Sequence, residues 1–198
     1  MTNTPQSAPA TIQGNLAKLL VLFGLPALAR RLDSSLPIGE AEEEAKDFVL
    51  RVVQPGLAGL MDGSVSTLAP IFATAFLTNK PFSAFLVGMA TATGAGISMA
   101  FAEALSDDGS ITGRGSPVLR GGVTGVMTFF GGALHTLPFL LPNIHTALYA
   151  AYIVVAIELV LIGAIRHKYF GTSWALSMLQ VVGGGALVFV AAIIFGHA

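Results

Sequence analysis

From residue 56 onward the chain is a succession of long apolar segments: Gly56–Leu77, Ser83–Leu105, Gly121–Leu141, Thr146–Ile165 and Trp174–Gly196. Each has 20 to 23 residues, and about 20 residues of helix cross the hydrocarbon of a bilayer. No water reaches the backbone there, so a spanning segment must close its own hydrogen bonds. The pattern therefore predicts five transmembrane helices. The breaks between them carry turn chemistry: Asn79-Lys80-Pro81, Asp107-Asp108-Gly109, Pro142-Asn143 and Phe170-Gly171-Thr172.

The first 55 residues differ. Met1–Ala10 is polar and proline-containing and reads as disordered. Leu16–Leu32 has an uncharged stretch, Leu19–Ala29, that is too short to span and is interrupted by Pro26. It reads as an interfacial helix with Arg30 and Arg31 at the headgroups. Glu40–Phe48 reads as a short acidic helix. The domain reading is thus a disordered N-terminus over 1–14, cytosolic and interfacial helices over 15–54, and a five-helix membrane domain over 55–198. Met1–Gln13 carries no positive charge, so no cleaved secretory signal is expected.

Composition agrees with a bilayer as solvent. The chain is 54% hydrophobic and 11% charged, with mean hydropathy +0.75, whereas a soluble domain is about one quarter charged. A net charge of -1 without a basic run gives no nucleic-acid signal. The absence of cysteine excludes thiolate-held zinc and iron–sulfur clusters. No multi-histidine box and no Gly-x-Ser-x-Gly elbow is present, so no enzyme is expected.

Basic residues set the orientation. With a cytosolic N-terminus and five spans, nine of the ten Lys and Arg residues lie inside and only Lys80 lies outside. The C-terminus is then external. Small residues recur at spacing four: Gly59 and Gly63, then Gly88, Ala92 and Gly96, then Gly121 and Gly125. Such faces let helix backbones approach closely in lipid, and ordinary bundle packing is the first reading of them.

An acidic side chain at bilayer depth costs about 3 kcal/mol or more, so Asp62, Glu103 and Glu158 are functional candidates. Counted from the cytosolic helix ends, Asp62, Met99, Glu158 and Gln180 fall in one layer, about 9–10 Å deep. Glu103 sits one turn above Met99 on the same face. Two carboxylates, a thioether and an amide describe a cation site with Glu103 at its mouth. The soft sulfur of Met99 shifts preference from Mg²⁺ and Ca²⁺ toward Fe²⁺, Co²⁺ or a similar ion. His135, whose ordinary pKa is about 6.5, is a candidate proton relay. Glu40, Glu43, Glu44, Asp47, Asp107 and Asp108 are candidates for a cation-attracting entrance, against the plainer reading of a solvated acidic surface.

Residues 60–76 (LMDGSVSTLAPIFATAF) and 94–115 (GAGISMAFAEALSDDGSITGRG) resemble the vacuolar iron transporter family. The similarity is strongest to its bacterial branch, in which the membrane domain follows a ferritin-like domain. It runs over about Phe48 to Gly196. The resemblance implies an all-α protomer of five helices and a homodimer with the ion path near its two-fold axis. It also implies proton-coupled export of Fe²⁺ from the cytosol, with no permanent cofactor. It places metal contact on Asp62 and Met99, with Glu103 one turn further on. Glu158 and His135 are then the candidates for proton coupling, and Gln180 belongs to a secondary polar layer. A multi-pass protein of a bacterial cytoplasmic membrane is expected.

Two departures from the family stand out. The connection Ser106–Arg120 is too short for a metal-collecting domain, and no paired Glu-x-x-His motif marks a ferritin-like bundle. Two alternatives therefore stay open. One is transport of Mn²⁺, Co²⁺ or Zn²⁺; the other is a non-transporting membrane partner of a separate ferritin-like protein.

Overall fold

The computed structural model describes residues 15–16, 19–20, 38–110 and 112–196, and every regular element among them is helical. Chain contacts divide it into two units, Met1–Leu50 and Arg51–Ala198. In the first, the expected acidic helix is α1 (Ile38–Phe48). The expected disorder over Met1–Ala10 lies outside the described residues, as does most of the expected interfacial helix Leu16–Leu32.

After a π-helical turn at Val49–Val53, the second unit consists of α2 (Gln54–Thr78), α3 (Pro81–Ala104), α4 (Pro117–Leu134), a 3-10 turn (Leu137–Leu140), α5 (Ile144–Phe170) and α6 (Trp174–Gly196). Local chemistry sets these limits. Asn79 adopts a left-handed φ of 52° and its N–H returns to the Ala75 carbonyl, which closes α2. Pro81 then opens α3, where a missing N–H costs nothing. The Ser116 and Asn143 side chains accept the Leu119 and Thr146 N–H groups at the starts of α4 and α5. Gly171, at φ 63°, ends α5.

The third apolar segment departs from expectation. A continuous helix over Gly121–Leu141 was anticipated, but α4 starts at Pro117 and stops at Leu134, with His135 as its C-cap. Pro138 lacks a donor and clashes with a preceding helical turn, and Pro142 repeats the obstacle. From Leu137 to Leu140 the chain continues as a 3-10 turn. Among the described residues, four helical runs are long and apolar enough to span a membrane: the one ending at Thr78, α3, α5 and α6. The 18-residue α4 falls short of that composition because it carries Arg120, two threonines and five glycines.

The bundle is built around α2, which packs on α3, α4, α5 and α6. Its seam with α4 is glycine-lined. A Cβ at Gly59 would strike the Thr124 carbonyl, and one at Gly63 the Thr128 carbonyl. Gly121 and Gly125 meet Ala100 and Gly96 of α3 in the same way, and Gly88 meets Thr136. The small-residue faces are therefore seams within one chain. Threonines in these helices return their hydroxyl protons to the carbonyl four residues back, as Thr67, Thr91, Thr128 and Thr136 do. Around Phe72 gather Tyr152, Phe189 and Phe139, with ring centroids at 5.2, 5.4 and 6.0 Å. These rings join α2, α5, α6 and the 3-10 turn. Outside, Leu86, Ile97, Ile153, Ile157, Leu179 and Leu187 are exposed. An apolar exterior around a polar-seamed core defines an integral membrane protein of the all-α class.

Candidate functional site

Ionisable groups of the bundle fall into separate clusters. The first is fully buried. The His135 ring at the end of α4 has no exposed surface, and Glu158 on α5 is 3% exposed. His135 Nδ1 lies 2.9 Å from Glu158 Oε2, and its Nε2 lies 2.7 Å from the Thr67 hydroxyl oxygen of α2. Thr67 in turn donates to the Gly63 carbonyl at 2.7 Å. Glu158 Oε1 is buried and has no hydrogen-bond partner among the described residues. The early end of α4 makes this cluster, because it leaves the imidazole at a helix terminus between α2 and α5.

That geometry corrects the single polar layer read from helix lengths. Glu158 is tied through His135 to Thr67, five residues beyond Asp62 on α2, and its hydrogen bonds run to that pair. Gln180 is exposed and accepts from Arg166 at 2.6 Å, so it faces away from the bundle interior. Counting residues from a helix end ignored tilt and rotation about the helix axis, and both decide where a side chain points.

Asp62 and Met99 are each half-buried. Asp62 lies on a stripe of α2 whose neighbours at spacing four, Ala58 and Ser66, are exposed. Met99 shares a face of α3 with buried Ala92, seven residues earlier. Beside Ala58 and Met61, a cavity of about 350 Å³ opens between the start of α2 and the end of α5, lined also by Gln54, Leu57, Arg166, Phe170 and Thr172.

Glu103 is not the open mouth expected of it. Its Oε1 accepts from Arg120 Nε at 2.9 Å and from Arg114 Nη2 at 2.7 Å. Arg120 has no exposed surface and also reaches the Gly115 and Asp107 carbonyls at 3.1 and 3.0 Å and the Asp107 carboxylate at 3.2 Å. An arginine at the root of α4 needs such compensation, and the acids of the connecting loop supply it. Burial pushes the Asp107 carboxyl up, but Thr112, the Gly109 N–H, Arg120 and Arg114 outweigh this and hold it below the usual carboxylate range. Asp108 is held low by the Ser110 hydroxyl and N–H. The two aspartates therefore order the loop. Gly109, Gly113 and Gly115 take its left-handed turns, at φ 79°, 67° and 72°.

On α1, Glu43 and Glu44 are exposed and Asp47 is half-buried, while the Glu40 side chain lies outside the described residues. Among the described residues, no three His, Asp or Glu side chains gather into a metal-holding set. Reading the sequence missed Thr67 and Arg120. Arg120 carried a usable signal, an arginine inside a segment adjoining the bilayer, which calls for an acidic partner. Thr67 carried none, since most threonines here bond within their own helix.

An all-helical membrane bundle with buried ionisable groups is the class that fold and site define. Residues 104–197 match the model of the VIT family, the vacuolar iron transporters, and over that stretch the resemblance read from the sequence is shown. The family is one of transporters and implies movement of metal, iron or manganese, across a membrane. The matched stretch is a little under half the chain. It contains His135 and Glu158 and begins one residue after Glu103, so it leaves out Asp62 and Met99. No curated protein and no solved structure matches the chain.

Proposed function

We propose that this protein exports a divalent metal, Fe²⁺ foremost, from the cytosol in exchange for protons. The observation that carries the reading is a pair of separated ionisable sites in the bundle: half-buried Asp62 on an open stripe of α2, and the enclosed His135–Glu158 pair. An aspartate facing lipid is costly, so the stripe Ala58–Asp62–Ser66 calls for a cover. A second copy of the chain supplies it and brings two Asp62 carboxylates and two Met99 thioethers to one path. Negative charge at that path offsets the loss of the ion's water, and the sulfur favours Fe²⁺ over Mg²⁺ and Ca²⁺.

Protons arriving from outside compete for ligands that must be deprotonated to hold metal. His135 and Glu158 are the groups that take them up. Glu103, already neutralised by two arginines, anchors the loop at the mouth instead of binding the ion. Nine basic residues on one side of a five-span arrangement support a cytosolic N-terminus and loop.

The test is competition in proteoliposomes. Fe²⁺ uptake should be inhibited by Co²⁺ and Mn²⁺ and not by Mg²⁺. Met99→Leu should reduce the preference for Fe²⁺ over Mn²⁺ while transport persists. Equal inhibition by Mg²⁺, or an unchanged preference in Met99→Leu, removes the thioether from the path.

A further inference from the structure

Thr67 has one hydroxyl proton and two polar contacts, to the Gly63 carbonyl and to His135 Nε2, both at 2.7 Å. A carbonyl oxygen only accepts, so both contacts are satisfied only if the hydroxyl proton goes to Gly63. The Thr67 oxygen then accepts from the ring, and Nε2 carries a hydrogen. At the other ring nitrogen, the 2.9 Å contact with Glu158 Oε2 holds with one hydrogen between the two atoms. The pair thus contains one fixed hydrogen and one shared hydrogen. It is neutral overall, whether written as imidazolium and carboxylate or as imidazole and carboxylic acid. A net charge is what this enclosed place would penalise.

We infer that Thr67 is the positioning residue of this proton site: with the Gly63 carbonyl behind it, it fixes the His135 tautomer, so the transferable proton lies on the Glu158 side of the ring. Proton exchange then occurs at Glu158, whose Oε1 is the one carboxylate oxygen of the pair without a partner among the described residues. Other ionisable groups on the helices around the ring stand apart. Asp62 is five residues from Thr67 on α2, and Tyr152 is six from Glu158 on α5 and stacks on Phe72. Glu103 and Arg120 pair at the loop end of α3 and α4. Gly63 directly follows Asp62, so the acceptor that orients Thr67 sits on the same helical turn as the proposed metal ligand. The use of the proton rests on the exchange reading above; the tautomer rests on geometry alone.

Nitrogen NMR of the full chain in lipid nanodiscs, with ¹⁵N-histidine and the His135 signals assigned through His135→Asn, tests the tautomer. Wild-type protein should show a single ring form with Nε2 protonated. Thr67→Val should give a mixture of tautomers, and Thr67→Ser should restore the single one. A neutral ring protonated at Nδ1 alone, or an unchanged spectrum in Thr67→Val, overturns the inference. In proteoliposomes, Thr67→Val should lower pH-gradient-driven Fe²⁺ flux by about fivefold, the effect of one hydrogen bond, and Thr67→Ser should not. If wild-type protein moves no metal, the exchange reading fails, while the NMR result still decides the role of Thr67.

Discussion

Arg120 shows what one residue demands of its surroundings in a membrane protein. It is wholly buried, and two carboxylates and two carbonyls converge on its guanidinium. Truncation would leave Arg114 alone to compensate Glu103 and Asp107 beside an emptied buried site. Arg120→Ala should therefore destabilise the bundle by about 3 kcal/mol, read as a lower thermal midpoint in detergent. Glu103→Gln, which keeps a hydrogen-bond acceptor, should cost less. Equal stability of Arg120→Ala and wild type would mean that the loop does not depend on this network. Asp62 makes the contrasting case. It lies half-buried on a stripe with exposed neighbours, and the proposed path would give this acid a metal ligand role in place of a packing partner.

At the scale of the helix, the seam between α2 and α4 rests on glycine. Gly63→Ala would drive a methyl group into the Thr128 backbone, and overpacking of that kind costs about 1–3 kcal/mol. Gly122→Ala, with nothing within 4 Å of the added carbon, should be neutral or stabilising by up to about 1 kcal/mol, since alanine is the better helix former. Chemical unfolding of both variants checks the pair, and similar losses would remove the seam from the account. The existence of these helices was legible in runs of 20 to 23 apolar residues, because bilayer thickness fixes that length. The end of α4 was signalled by Pro138 and Pro142, but the apolar run through Leu141 masked it, because length and hydropathy do not register a helix breaker. Asp62, Glu158 and His135 stood out as ionisable residues in apolar segments. The link among Glu158, His135 and Thr67 depends on which faces of α2 and α5 meet at the end of α4, and a linear pattern does not contain that.

For the whole molecule, the charge pattern makes a prediction about sidedness. The native chain has no cysteine, so single cysteines report cleanly. Ser110→Cys should be shielded from a membrane-impermeant thiol reagent in intact cells, and Asn79→Cys should react. The reverse pattern would invert the proposed direction of transport. The proposed dimer makes a second demand, that another copy covers the stripe around Asp62, and both demands meet in the transport assay.

The central claim is that metal moves against protons through a path that contains Asp62. The direct measurement is Fe²⁺ flux through the purified protein in liposomes, with and without a pH gradient acid on the side that receives the metal, with Asp62→Ala reconstituted alongside. The account predicts flux that rises with the gradient and vanishes in a folded Asp62→Ala protein. Flux indifferent to the gradient, or retained in that variant, would contradict it.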